Sequence, residues 1–323
     1  MITIYSYDIA EGTLSNPTVE ELPGVYESEN VDLWVDLEAP TPEEADILRT
    51  VFNFHELAIE DCIAIDIEEA KLDDYEDYLF FGFHSVFFDS SNLSFDIIEL
   101  DMFFGKKFVV THHKKPTIGI SQLKKRLEQG NDFMAEGTDG ILHAVIDSLV
   151  DNYTITVKQI ERSIFSLEEE LLSAPTNKTF NNLFKLKSIL IHLHRLIAPE
   201  SQVIESLANS EHGLIQEETT VYFDDIHDHI STIEGLLDSY MDMVKGTMDT
   251  YVSIANFRLQ KIMQILTIIS TIMLPPTLIA SFYGMNFKHL PLEDLPYGFE
   301  IISVLCLMFA GSMLWYFRKQ GWF

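Results

Sequence analysis

From Ile262 to Tyr283 the chain reads "IMQILTIISTIMLPPTLIASFY", with no charged side chain. As a helix this run is ~33 Å long at 1.5 Å per residue, enough to cross the ~30 Å hydrocarbon core of a bilayer. A second run, "IISVLCLMFAGSMLWYF" from Ile301 to Phe317, suffices when extended back toward Tyr297. Trp315, Tyr316 and Trp322 form an aromatic belt at its end, with Arg318 and Lys319 just beyond, and Arg258 and Lys261 precede the first run. Basic residues thus flank the outer ends of a hairpin with spans at about 262–283 and 298–317. By the positive-inside rule both termini are cytoplasmic and the loop 284–297 is external. The expected location is the cell (inner) membrane.

The remaining sequence is acidic. Of 21 Lys/Arg and 51 Asp/Glu, residues 256–323 hold five and three, leaving 16 against 48 in residues 1–255, a net of −32. Such a surface repels nucleic acid, whose backbone demands Lys and Arg, and attracts cations, although acidity also serves solubility or a salty habitat. The two cysteines, Cys62 and Cys306, lie in different parts of the chain and suggest no structural disulfide. The start, "MITIYSYDIAEG", lacks the basic and apolar regions of a signal peptide. Enzyme motifs are missing as well: there is no phosphate loop, nucleophile elbow, CxxC or HExxH.

Residues 1–136 read as an α+β cytoplasmic domain, a mixed sheet covered by helices. Strand-like runs occur at "MITIYSY", "VDLWVDL", "YLFFGFHSVFF", "FDIIELDMFFG" and "KFVVTHH", the last two close enough around Gly105 and Lys106 for a hairpin. "TPEEADILRTVF" carries a helix start, with Thr41 as N-cap, Pro42 at the first position and Glu44 closing a capping box. Residues 137–261 read as long cytoplasmic helices and a stalk, ahead of the transmembrane hairpin at 262–323. Ile226, Ile230, Ile233, Leu237, Tyr240, Val244, Met248 and Tyr251 alternate steps of three and four, a stripe whose length and continuation into the uncharged run favour a stalk over an ordinary bundle helix.

Within the first span, Gln260, Met263, Thr267, Ser270, Leu274, Thr277 and Ser281 share one helical face. Small hydroxyls and an amide mixed with Met and Leu fit a pore lining with apolar constrictions. Small residues also suit close helix–helix packing. Pro275 and Pro276 free backbone carbonyls, tolerable only where protein or water satisfies them.

"PPTLIASFYGMNF", followed by a second span and an aromatic-basic C-terminus, resembles the CorA family of magnesium and cobalt transporters, whose signature is Gly-Met-Asn at the end of the first of two C-terminal spans. "HELAIEDC", "SLVDNY", "SLEEELL" and "ETTVYFDDIHDH" follow the family's order and spacing across essentially the whole chain. The resemblance implies a homopentameric funnel in a lipid membrane, a channel for Mg2+ uptake down the electrochemical gradient, and gating by cytoplasmic Mg2+. It implies an entrance built from Gly284, Met285 and Asn286, an inner polar ring at Thr277 and apolar constrictions at Leu274 and Met263. Ser270 continues that lining, Gln260 supplies a second amide ring, and Asp249 an acidic ring on the stalk. Asp61 and Asp225 match two carboxylates that meet between subunits and bind a regulatory Mg2+.

The sequence departs from the family in places. The acidic "DIEEAKLDDYED" stands where relatives often carry Arg-Pro-Lys, the external loop reads "LPLED", and only Arg318 and Lys319 remain of a Lys-rich C-terminus. Asp225 and His229, one turn apart with His227 between, admit a softer ion. Alternatives are therefore a CorA-like Zn2+ or Co2+/Ni2+ transporter, or a membrane-tethered scaffold.

Overall fold

The structure, a computed structural model, describes residues 1–64, 69–130, 133–173, 175–209, 213–285 and 296–322. They form two compact units, Met1–Met248 and Asp249–Phe323. The first is built on a seven-stranded sheet of β1 (Ile2–Asp8), β2 (Thr13–Ser15), β3 (Val31–Glu38), β4 (Leu72–Asp74), β5 (Tyr78–Asp89), β6 (Ser94–Gly105) and β7 (Phe108–His113). Their spatial order is β2-β1-β3-β7-β6-β5-β4. All neighbours are antiparallel except β3 and β7, so the sheet is mixed, and β6 and β7 form the expected hairpin.

Alternation along the strands sends side chains to two cores. On one face Leu33, Val35, Leu37, Phe103 and Val110 pack with residues of the helices α1 (Leu22–Tyr26), α3 (Ile47–Thr50) and α4 (Glu56–Ile63), and α2 (Pro42–Ala45) precedes α3 in the chain. The capping box at Thr41 and Glu44 forms as expected. The helix it begins stops at Ala45 and resumes after Asp46 as α3, which buries Ile47 and Leu48 in the core. The other face carries Tyr5 and Trp34, stacked at 5.3 Å, and Trp34 meets Phe133 of a short 3-10 turn. Beside them lie α5 (Ile118–Glu128), capped by Thr117, and α6 (Gly137–Ser173). The short strands β2 and β4 and the helix α1 carry too little periodicity to be read from the sequence; sequence reasoning missed α5 although Ile120, Leu123 and Leu127 recur at helical steps behind the Thr117 cap.

Next come α7 (Asn177–Ala208), with Pro199 inside it, and α8 (Thr220–Tyr283). One fully buried polar group ties the sheet to two of the helices. Glu200 of α7 accepts from the backbone N–H of His84 on β5 at 2.9 Å and from Tyr153 Oη of α6 at 2.7 Å, with His84 Nδ1 at 2.7 Å. Burial pushes the Glu200 carboxyl up, against the pull of His84 and Tyr153. The apolar stripe of α8 is buried from Ile226 through Val244, with α6 and α7 as its partners: His143 contacts Tyr222 and Phe223, and His194 reaches Asp238 at 3.5 Å. To that point it is the seam of a bundle; a residue-by-residue stripe cannot reveal which partner covers it. The second unit holds the rest of α8 and α9 (Gly298–Lys319), both long and apolar enough to cross a membrane and only 6% buried over their apolar windows.

Candidate ion path and regulatory carboxylates

The apolar half of α8 has distinct sides. On one, Gln264 Nε2 donates to the Trp322 carbonyl at 3.3 Å and Ile268, one turn on, is buried, so this side faces the C-terminal segment. Phe317 of α9 is buried there too, against the Trp322 ring at 5.2 Å. At 100° per residue, Met263, Thr267, Ser270, Leu274, Thr277 and Ser281 point ~120° away from it. All six are exposed, Met263 and Leu274 by 55% and 66%. Ser270, Leu274, Thr277 and Ser281, with Met273 and Leu278, line a groove of about 500 Å³.

The two threonine hydroxyls on this face are bonded alike. Thr267 Oγ1 donates to the Met263 carbonyl at 2.8 Å, and Thr277 Oγ1 to that of Met273 at 2.7 Å. Their protons are engaged within the helix, so the oxygen lone pairs are what they offer outward, as acceptors for a cation or for its hydration shell. Pro275 and Pro276 lack the N–H groups that would serve the carbonyls of Thr271 and Ile272.

The helix closes at Tyr283, where Gly284 N–H donates to Ala280 O at 3.0 Å and Met285 N–H to Phe282 O at 3.2 Å. A Cβ on Gly284 would stand 3.4 Å from that Ala280 oxygen. Asn286, expected at the entrance, lies outside the described residues, as does the external loop to residue 295. Gln260 and Asp249 are exposed on α8.

The expected regulatory carboxylates sit on α4 and α8 of the first unit. Among the described residues no hydrogen bond or ion pair joins Asp61 to Asp225 within the chain. Asp225 is exposed, with His229 Nε2 at 4.0 Å; no third ligand joins them among the described residues. Asp61 has a partner that sequence reasoning missed. Lys71, the one base in the acidic stretch, places Nζ 2.7 Å from Asp61 Oδ2 and 3.5 Å from Asp73 Oδ2. Residues 66–68 of that stretch lie outside the described residues.

Two buried groups on β7 were also not legible. His112 and His113 are adjacent, so the pleat sends them to opposite faces. His113 Nε2 meets Asp36 at 3.1 Å, and Lys124 Nζ meets the same carboxylate at 2.6 Å. Burial alone would raise Asp36; His113 and Lys124 instead hold it below its ordinary value. His112 Nδ1 stands 3.1 Å from Asp101 Oδ2, its cross-strand partner on β6, and Cys62 of α4 joins them. "HH" in a strand is the only signal the sequence offers for either group.

Comparison with known proteins agrees with this architecture. The family of the CorA-like Mg2+ transporter protein matches residues 30–319. The Bacillus subtilis protein YfjQ is 34% identical over 100% of this chain and 99% of its own. The cobalt/magnesium transport protein CorA of Thermotoga maritima is 27% identical over 99% of this chain and 92% of its own. The complete structure of the CorA magnesium transporter from Methanocaldococcus jannaschii superposes with a TM-score of 0.85 at 19% identity, covering 100% of this chain and 99% of that one. The chain belongs to the CorA-like Mg2+ transporter family, a family of divalent-cation transporters embedded in the membrane.

Proposed function

We propose that five copies of this chain form a channel that admits Mg2+ to the cytoplasm, driven by the membrane potential and closed by cytoplasmic Mg2+. The observation that carries this reading is the exposed face of α8, where neutral oxygens alternate with Met263 and Leu274. One such face encloses nothing; a ring of them makes a conduit. The hairpin 262–323 lies in the cell (inner) membrane with both termini cytoplasmic, and residues 1–136 and 137–261 form the funnel and its stalk.

Mg2+ gives up its water reluctantly, so a conduit that binds the hydrated ion through neutral oxygens holds it weakly enough to let it leave. In this reading Asn286 and Gly284 form the entrance beside Met285, Ser270 and Thr277 continue the polar lining, Leu274 and Met263 narrow it, Gln260 adds an amide ring, and Asp249 gathers cations. Asp61 and Asp225 of neighbouring subunits bind the regulatory Mg2+, with Lys71 its rival for Asp61. The purpose of the reaction is ion movement, so no enzymatic step is assigned.

Mg2+ entry into liposomes containing the purified protein tests the proposal. Asn286→Ala is expected to abolish entry while leaving the oligomer intact by mass measurement. Wild-type entry in that variant removes the entrance from Asn286; a monomeric wild-type protein removes the channel. Competition by Co2+, Ni2+ and Zn2+ in the same assay establishes the cargo.

A further inference from the structure

We propose that Cys62, Asp101 and His112 form a binding site for a soft divalent cation such as Zn2+ or Co2+, separate from the ion path and from the Mg2+ carboxylates. The three belong to different elements, α4, β6 and β7, and all are at most 4% exposed. Their ligand atoms, one sulfur, one carboxylate oxygen and one imidazole nitrogen, lie within 4.8 Å of one another. Thiolate and imidazole favour Zn2+ and Co2+, whereas Mg2+ requires oxygen. Tetrahedral zinc sites commonly combine three such ligands with a water.

Two further observations support a site here. His112, alone of the three, lines a cavity of about 510 Å³ together with Ile59 and Ile63 of α4 and with Ala39, Pro40 and Arg49, so an ion can approach the site from the His112 side. The second comes from the neighbouring group on the other face of β7. The ligand atoms of Asp36, Glu38 and His113 also lie within 4.8 Å of one another, but the Lys124 ammonium already occupies the Asp36 carboxylate at 2.6 Å. The ammonium nearest the first group, Lys114, donates instead to the Ala64 carbonyl and stands 4.0 Å from Glu99. Asp36 is thus ion-paired to a built-in ammonium, whereas among the described residues Asp101 pairs with no ammonium, although the Lys114 charge is near enough to act on it and on Cys62.

Binding balances as follows. Without the ion, His112 Nδ1–H and the Cys62 thiol both serve the Asp101 carboxylate. On binding, the thiol proton passes to water, the His112 ring proton moves from Nδ1 to Nε2 by exchange with water so that the Nδ1 lone pair is freed, and Asp101 gives a carboxylate oxygen. No electron is transferred. Because α4 carries both Cys62 and Asp61, an ion at this site fixes the helix that holds the expected Mg2+ ligand.

Co2+ added to the full-length protein in detergent tests this, because a thiolate on Co2+ gives a charge-transfer absorption that oxygen ligands do not. The chain has only two cysteines, so Cys306→Ser leaves Cys62 as the sole source of that band. The band is expected in this variant, to survive excess Mg2+, to be bleached by stoichiometric Zn2+, and to vanish on adding Cys62→Ser. Zn2+ is also expected to raise the unfolding temperature of Cys306→Ser at a concentration ~100-fold below any Mg2+ effect. Absence of the band in Cys306→Ser overturns the proposal outright. This readout is spectroscopic and independent of transport, so it stands or falls apart from the identity of the cargo.

Discussion

Lys71 Nζ lies 2.7 Å from Asp61 Oδ2, so the carboxylate expected to take a regulatory ion already holds a cation from its own chain. A divalent ion arriving at Asp61 must compete with that ammonium. Both groups are partly exposed, which limits the pair to about 1 kcal/mol or less. Lys71→Ala is therefore expected to lower the Mg2+ concentration for half-maximal protection against protease by about two- to fivefold. An unchanged midpoint would show that Lys71 does not compete.

Replacing Asp61 and Asp225 together by Asn should weaken Mg2+ protection of the cytoplasmic part. Two carboxylates about 4 Å apart repel by roughly 4 kcal/mol at an effective dielectric near 20, and a bridging cation relieves that. The wild-type site is expected to be filled at millimolar Mg2+ or somewhat below, since few ligands with retained waters bind weakly. Equal protection in the double variant and the wild type counts against the pair as sensor, with the acidic residues around Lys71 then the next place to look.

Thr277→Val keeps the shape of the side chain and removes the oxygen. Among the described residues its hydroxyl bonds only to Met273 O within α8, so folding and assembly should be unaffected. Mg2+ flux in liposomes is expected to fall several-fold. Flux equal to wild type would place the Thr277 oxygen away from the ion's route.

Asp32 supplies a pH-dependent term in stability. Burial, and then the charge of Asp139, push its carboxyl up to about 6 from 3.8. The folded state thus binds more protons than the unfolded state between these values, and stability from this group is lost as pH rises through 6. The loss at pH 7 is up to ~3 kcal/mol. Asp32→Asn should match wild type in unfolding temperature near pH 4 and exceed it increasingly toward pH 7. A constant difference across that range would refute the assignment.

Tyr153→Phe removes one donor from the buried Glu200 carboxylate together with the Tyr153 Oη contact to the His84 carbonyl, and leaves the bonds between Glu200 and His84 in place. A cost of about 1–3 kcal/mol in unfolding free energy is expected. Denaturant unfolding of the full chain measures it, and no change would mean that water takes the place of the hydroxyl.

Much of this protein was readable from order along the chain. The two spans, the capping box at Thr41 and Glu44, the five long strands and the helices around 140–173 and 176–209 are local patterns, and the physics that makes them is local: hydrophobic period, chain length and turn chemistry. The face Met263, Thr267, Ser270, Leu274, Thr277 and Ser281 was readable for the same reason, since helical geometry alone puts those residues on one side. Partners distant in sequence were not readable. Lys71 could be seen as an isolated base, but its place on Asp61 depends on how β4 and α4 lie in the folded unit. Cys62 meets Asp101 and His112 only because a helix covers that face of the β6–β7 hairpin, and Glu200 reaches His84 across 116 residues. The α8 stripe is ambiguous for the same physical reason: a row of apolar residues states that something must cover it, and only the packed structure supplies α6 and α7. Sequence determines what each segment can be, because its own dihedrals and side chains decide that. Tertiary structure decides which charges and ligands meet, because contact across the fold depends on the packing of the whole unit.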